Sequence, residues 1–147
     1  MAPDPFDLAR FVSAQAPVFS TVLDELRRGR KSSHWMWFIF PQLAALGSSA
    51  MARRYGLASV AEARAYLAQD LLGRRLRECC GLLLQIQDEP IKNILGHPDD
   101  LKLRSCLTLF QQAVPDEPVF SQCLYKYYAG VPDPRTLAMC AVQPAKH

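Results

Sequence analysis

The chain has 147 residues, 50% hydrophobic and 21% charged, with a formal net charge of +3. That size and balance predict one soluble domain around one core and exclude a largely disordered chain. The charge excess is small for a nucleic-acid binder, and no apolar run approaches the ~18 residues that cross a bilayer. The start, Met1-Ala2-Pro3-Asp4-Pro5, has neither the basic nor the apolar region of a signal peptide, so a cytoplasmic location is expected.

Proline and glycine punctuate the chain in a consistent order. Proline suits the first helical turn, and glycine takes the left-handed conformation just past a helix end. Asp4-Pro5 therefore opens a helix predicted to reach Gln15, and Pro17 opens a second that ends at Gly29. After the basic run Arg27-Arg28-Gly29-Arg30-Lys31 comes Ser33-His34-Trp35-Met36-Trp37-Phe38-Ile39-Phe40, which holds both tryptophans. An apolar run this dense needs covering, by protein or by a ligand. Trp35 to Phe40 is the one stretch that could read as a buried strand, but a single strand has no partner to pair with.

Further on, Ser59-Val60-Ala61-Glu62 reads as a capping box. Asp70 is expected to cap the longest helix, running to about Gln87 on the stripe Leu72, Leu76, Cys79, Leu83 and Ile86. Glu89-Pro90 opens a short helix closed by Gly96. Asp99 is expected to cap the next, to about Ala113, with Leu103, Cys106, Leu107 and Phe110 inward. Glu117-Pro118 starts a helix ending at Gly130, and Asp133-Pro134 starts a last one near Cys140. The fold class is all-α: a single domain over residues 4–140 with about eight to ten mostly short helices, and frayed ends at 1–3 and 141–147. The five cysteines sit in apolar stretches without zinc-site spacing, and predict reduced, buried thiols. No metal and no cofactor is expected.

Three groups of residues could carry chemistry. In the first, the Trp37 indole can stack on a planar ring, Lys31 can hold a phosphate, and His34 titrates near neutrality and can move a proton. Trp35 and Phe38 read as core, and Ser33 as a cap for the following turn. In the second, Asp100, Arg104, Thr108 and Gln111 share one helix face, with Ser105 alongside. An acid, a guanidinium and hydroxyls in line can grip a hydroxylated or phosphorylated ligand, although an Asp100–Arg104 pair on a solvated face explains the spacing equally. Ser105 and Thr108 are poor helix formers, a hint of another use. In the third, Arg54 and its neighbours Arg53, Arg64, Arg74, Arg75 and Arg77 are interleaved with Glu62, Asp70 and Glu78 and read mainly as a solvated face.

The segments Asp4–Val12, Gly29–Leu43, Arg54-Tyr55-Gly56 and Pro98–Ser105 resemble a bacterial and fungal family of domains of unknown function, sometimes labelled calpastatin in error. The resemblance covers Asp4 to about Leu137 and implies an all-α fold without implying an activity. The family is also distantly similar to small domains that act on NAD, ADP-ribose and other ribose phosphates. The expectation is therefore a binder or hydrolase of a small nucleotide-like ligand. In that reading Trp37 stacks, Lys31, Arg54 and Arg104 neutralise phosphate, Ser105 and Thr108 add hydrogen bonds, and Asp100 or His34 polarises water or a ribose hydroxyl. The alternative is a non-catalytic module that docks a protein partner through an exposed aromatic patch around Trp37 and Phe40. Direct nucleic-acid binding ranks last. The ligand reading requires the Ser33–Gln42 segment to meet the helix that begins at Asp99.

Overall fold

Ten α-helices and one 3₁₀ turn run through the computed structural model, which describes residues 3–142. They are α1 (Ala9–Gln15), α2 (Phe19–Arg28), α3 (Met36–Ile39), α4 (Ala50–Tyr55), α5 (Val60–Ala68), α6 (Asp70–Gln85), α7 (Ile91–Leu95), α8 (Asp99–Ala113), α9 (Pro118–Tyr128) and α10 (Pro134–Ala141). The 3₁₀ turn spans Ala44–Leu46. No strand forms among the described residues; an isolated parallel bridge joins Leu43 to Leu57. Of the ends expected to fray, 1–3 and 141–147, residues 1–2 and 143–147 lie outside the described residues, and Ala141 is the last residue of α10.

Helix α8 is the axis of the molecule. Leu103, Cys106, Leu107, Leu109 and Phe110 are each fully buried, and with Ser105 and Thr108 also buried the covered sector takes in most of its circumference, the surface being reached mainly at the first turn and at Gln112. Helices α5, α7, α9 and α10 pack on it, and α6 closes the far side against α5, α9 and α2. Aromatic rings run through the core as a chain. Phe120 stacks on Phe110 at 5.6 Å, Phe110 meets Tyr66 at 5.6 Å, Tyr66 meets Phe11 edge-on at 5.1 Å, and Tyr55 links Phe11 to Phe38. Each ring sealed this way contributes roughly 1.5–3 kcal/mol.

The helix stripes appear where the periodicity places them, but several ends differ. Helix α1 starts at Ala9 because the Asp4 carboxylate accepts from the Leu8 and Ala9 N–H groups at 2.8 and 3.0 Å, making the preceding residues a turn. Helix α2 starts at Phe19 and ends on Gly29, whose φ of 74° is left-handed. The Trp35–Phe40 run forms the single turn α3. Two expected caps are corrected. The Gln69 side chain, not Asp70, accepts from Leu72 N–H at 2.7 Å. Asp99 makes no cap bond, because its carboxylate is drawn to two lysines. Ser59 does cap α5 through Glu62 N–H at 3.0 Å, and Glu62 accepts from Ala58 N–H at 2.8 Å.

Candidate functional site

The loop that delivers the tryptophans is held from beneath by one carboxylate. Glu25 falls on the buried face of α2 between Val22 and Leu26 and is only 1% exposed. Its oxygens accept from Ser32 N–H at 2.8 Å, Ser33 N–H at 3.1 Å, the Ser33 hydroxyl, and the Trp35 indole N–H at 2.9 Å. Burial alone would raise its pKa, but four donors to the charged form outweigh that and hold it at about 2. Ser33 therefore serves Glu25 rather than capping α3, and Trp35 is sealed in the core. On the other side of this segment Gln15 donates to the Phe38 carbonyl at 2.7 Å and to the Tyr66 hydroxyl at 2.9 Å.

The two segments singled out in the sequence meet. Lys31 Nζ lies 3.0 Å from Asp99 Oδ2, with both side chains largely enclosed, and Lys31 N–H donates to the Ile94 carbonyl at 2.7 Å. The second oxygen of Asp99 lies 3.7 Å from Lys102 Nζ. Lys102 in turn sits over the partly buried Trp37 ring, 5.4 Å from its centroid. Lys31, Asp99, Lys102 and Trp37 thus form one continuous band across the start of α8. Beside the indole, Met36, Phe40, Gln42, Ala52, Tyr55, Gly56 and Lys102 itself leave a space of about 10 Å³, room for one water and, with Lys102 in place, for no ligand.

The remaining expected residues are dispersed. Asp100 reaches neither Arg104 nor His34; its Oδ1 is 2.9 Å from His97 Nδ1, and its carbonyl accepts from the Tyr128 hydroxyl. His34 is exposed and makes no hydrogen bond or ion pair with any described residue. Arg104 donates to the Val131 and Pro132 carbonyls at 2.9 and 3.1 Å, which occupies its guanidinium with the loop before α10. Ser105 and Thr108 are buried; Ser105 donates to the Leu101 carbonyl and Thr108 to that of Arg104, the latter also accepting from Asp133 N–H at 2.8 Å. These groups face the packing of α8 against α10, not the band. Arg54 is exposed and stays on the neighbouring Tyr55, at 3.2 Å from its hydroxyl. Phe40 is 1% exposed and Trp37 lies under Lys102, so the two residues expected to form an aromatic docking patch are not exposed together; among the described residues the exposed large apolar side chains are Leu101, Tyr125, Val131 and Val142.

Four residues of the site escaped the reading of the sequence: Glu25, Asp99 as an acceptor of lysines, Lys102, and His97 as the partner of Asp100. Glu25 carried a signal, a carboxylate three residues after Val22 and directly before Leu26 in an inward stripe. On the outer side of Lys31 a groove of about 470 Å³ opens between the end of α2 and α7, lined by Arg30, Lys31, Glu89, Lys92, Asn93 and the Leu95-Gly96 backbone. Among the described residues no group of three or more His, Cys, Asp or Glu side chains could hold a metal ion, and no helix is long and apolar enough to cross a membrane.

A single all-helical domain with a lysine–carboxylate–indole band at the first turn of its central helix is the class of protein these features define. Over residues 5–140 the chain matches the family described as "Protein of unknown function (DUF1810)", and it belongs to that family. No curated protein matches it. Among solved structures it is similar to the crystal structure of the conserved hypothetical protein Rv1873 from Mycobacterium tuberculosis. The two share 58% identity over 95% of this chain and 100% of that one, with a TM-score of 0.94.

Proposed function

We propose that the protein binds a small nucleotide-like ligand, a planar ring joined to an anionic group, along the band from Trp37 through Lys102 and Asp99 to Lys31. The observation that carries this reading is the state of Trp37. Of the two indoles it alone is not sealed in the core, and what covers its open face is one flexible lysine tethered to a shared carboxylate. An aromatic ring can displace that lysine at small cost, because an exposed cation–π contact is worth about 0.5–1 kcal/mol. The freed ammonium then meets the ligand's anionic group. In this reading Lys31 and Lys102 neutralise the anion, and Arg104, Ser105 and Thr108 build the scaffold behind it.

Cleavage of an N-glycosidic bond is the reaction such a ligand offers. Positive charge develops on the sugar during that cleavage, and the Asp100 carboxylate is the group suited to face it. The proton-transfer role passes from His34 to His97, whose Nδ1 is held by Asp100 while Nε2 remains open to solvent.

The two indoles make the test direct. ADP-ribose, NAD and AMP are titrated while tryptophan emission is followed, with thermal unfolding in parallel. Ligand stacking on Trp37 quenches part of the emission and stabilises the fold, by roughly 2.7 kcal/mol at a hundred times the dissociation constant. Trp37→Ala removes both effects and leaves the domain folded. No quenching and no stabilisation by any of the three at millimolar concentration refutes the reading, and absence of released base in the same samples refutes the cleavage step alone.

A further inference from the structure

We infer that the groove outside Lys31 is a phosphate subsite, and that the ligand is of the nucleoside diphosphate class rather than a nucleoside or monophosphate. This rests on the ring position proposed at Trp37. Its own support is the distribution of unspent charge. Lys31 and Lys102 share the single carboxylate of Asp99, so the band itself offers one net positive charge. Arg30 and Lys92, by contrast, are exposed and have no carboxylate within ion-pair distance among the described residues. Both line the groove of about 470 Å³, a volume in the range of small-molecule sites. The one carboxylate there, Glu89, lies within reach of the Asn93 amide at 3.3 Å.

Lys31 belongs to both places. Its side chain lines the groove while its ammonium touches Asp99, whose other oxygen leads to Lys102 and the indole. A ligand with one phosphate, its ring on Trp37, matches the one net positive charge of the band and leaves the groove unused. A second phosphate reaches past Asp99 to Arg30 and Lys92, which have nothing else to neutralise. Glu89 disfavours a third charge. Two phosphates in line therefore match the cations and acids of this face better than one or three.

The test compares adenosine, AMP and ADP by tryptophan emission, and inorganic pyrophosphate by calorimetry. It uses the wild-type chain and the double variant Arg30→Ala/Lys92→Ala, which alters only exposed side chains. ADP is expected to bind at least about tenfold more tightly than AMP, since charge-assisted hydrogen bonds are the strong ones. The double variant is expected to erase that advantage while leaving AMP unchanged, and to abolish pyrophosphate binding. Equal affinity for ADP and AMP, or an ADP affinity insensitive to the double variant, overturns the subsite. If none of the three quenches emission, the ring position at Trp37 fails. In that case pyrophosphate still judges the groove separately: binding that the double variant abolishes upholds the subsite, and no binding overturns it.

Discussion

Glu25 stays ionised among apolar side chains because every lone pair that faces the loop has a donor, and that has a measurable consequence with acid. In the unfolded chain a glutamate titrates near 4.5, and in the folded protein Glu25 titrates at about 2. The folded value is the lower one, so its contribution is complete above pH 4.5 and is lost as pH falls from there toward 2. The difference corresponds to roughly 3 kcal/mol. Urea unfolding of the wild type is expected to show this loss across that window. Glu25→Gln is expected to be less stable at pH 7 by roughly 2–4 kcal/mol, because a neutral amide turns N–H groups toward donors, and to lack that part of the acid slope. The sequence carries a signal for this residue, an acid at an inward position of α2 beside the outward Asp24. Its partners carry no such signal, because a chain that reverses at Gly29 brings residues 32–35 back over α2 only in three dimensions.

At the scale of elements, apolar periodicity and Pro/Gly punctuation located every long helix, while the caps proved less readable. Asp70 and Asp99 stand at helix starts with suitable side chains, yet Gln69 takes one role and two lysines draw Asp99 from the other. Propensity describes what a residue can do locally; a cation arriving from a distant segment decides what it does. Thr108 teaches the same lesson. It reads as a polar group on a ligand-facing surface, and the fold uses it to hang α10 on α8. Its hydroxyl accepts from Asp133 N–H, and Asp133 in turn caps α10 through Thr136 N–H at 2.9 Å. Thr108→Val is expected to cost about 1–3 kcal/mol, since it strands that N–H away from water. Hydrogen exchange should localise the damage, with amides of Pro134–Ala141 exchanging faster and those of Asp70–Gln85 unchanged. Uniform acceleration throughout the chain would contradict this clamp.

Considered as a whole, the molecule is one core with α8 through its middle, and the cysteines report its integrity. All five are free, Cys79, Cys80, Cys106 and Cys123 lying fully inside and Cys140 half-buried on α10. Burial pushes the Cys79, Cys106 and Cys140 thiols above their ordinary range, and a hydrogen bond with the Cys123 thiol together with burial raises Cys80 as well. Thiols in that state react slowly. A thiol-specific reagent is expected to modify only Cys140 in the native protein and all five in urea; rapid modification of any of the other four would mean that the core opens more readily than its packing implies. The all-helical class was fully legible from composition and period. The band at the start of α8 was legible only in part: the aromatic run and the Asp99 segment announced themselves as polar–apolar mixtures, but Lys102 looked like any solvent-facing lysine, and the groove beside α7 is a property of surfaces brought together by the fold.

The four bonds converging on Glu25 also shape how this chain can vary. Two of the donors are backbone amides, which every residue but proline supplies, so the demand on side-chain identity falls on the acid itself, the Ser33 hydroxyl and the Trp35 indole. Sequence drift through this loop is therefore coupled at positions 25, 33 and 35 and loose at 32, and a library that randomises those three together will recover working combinations that serial single-site searches miss.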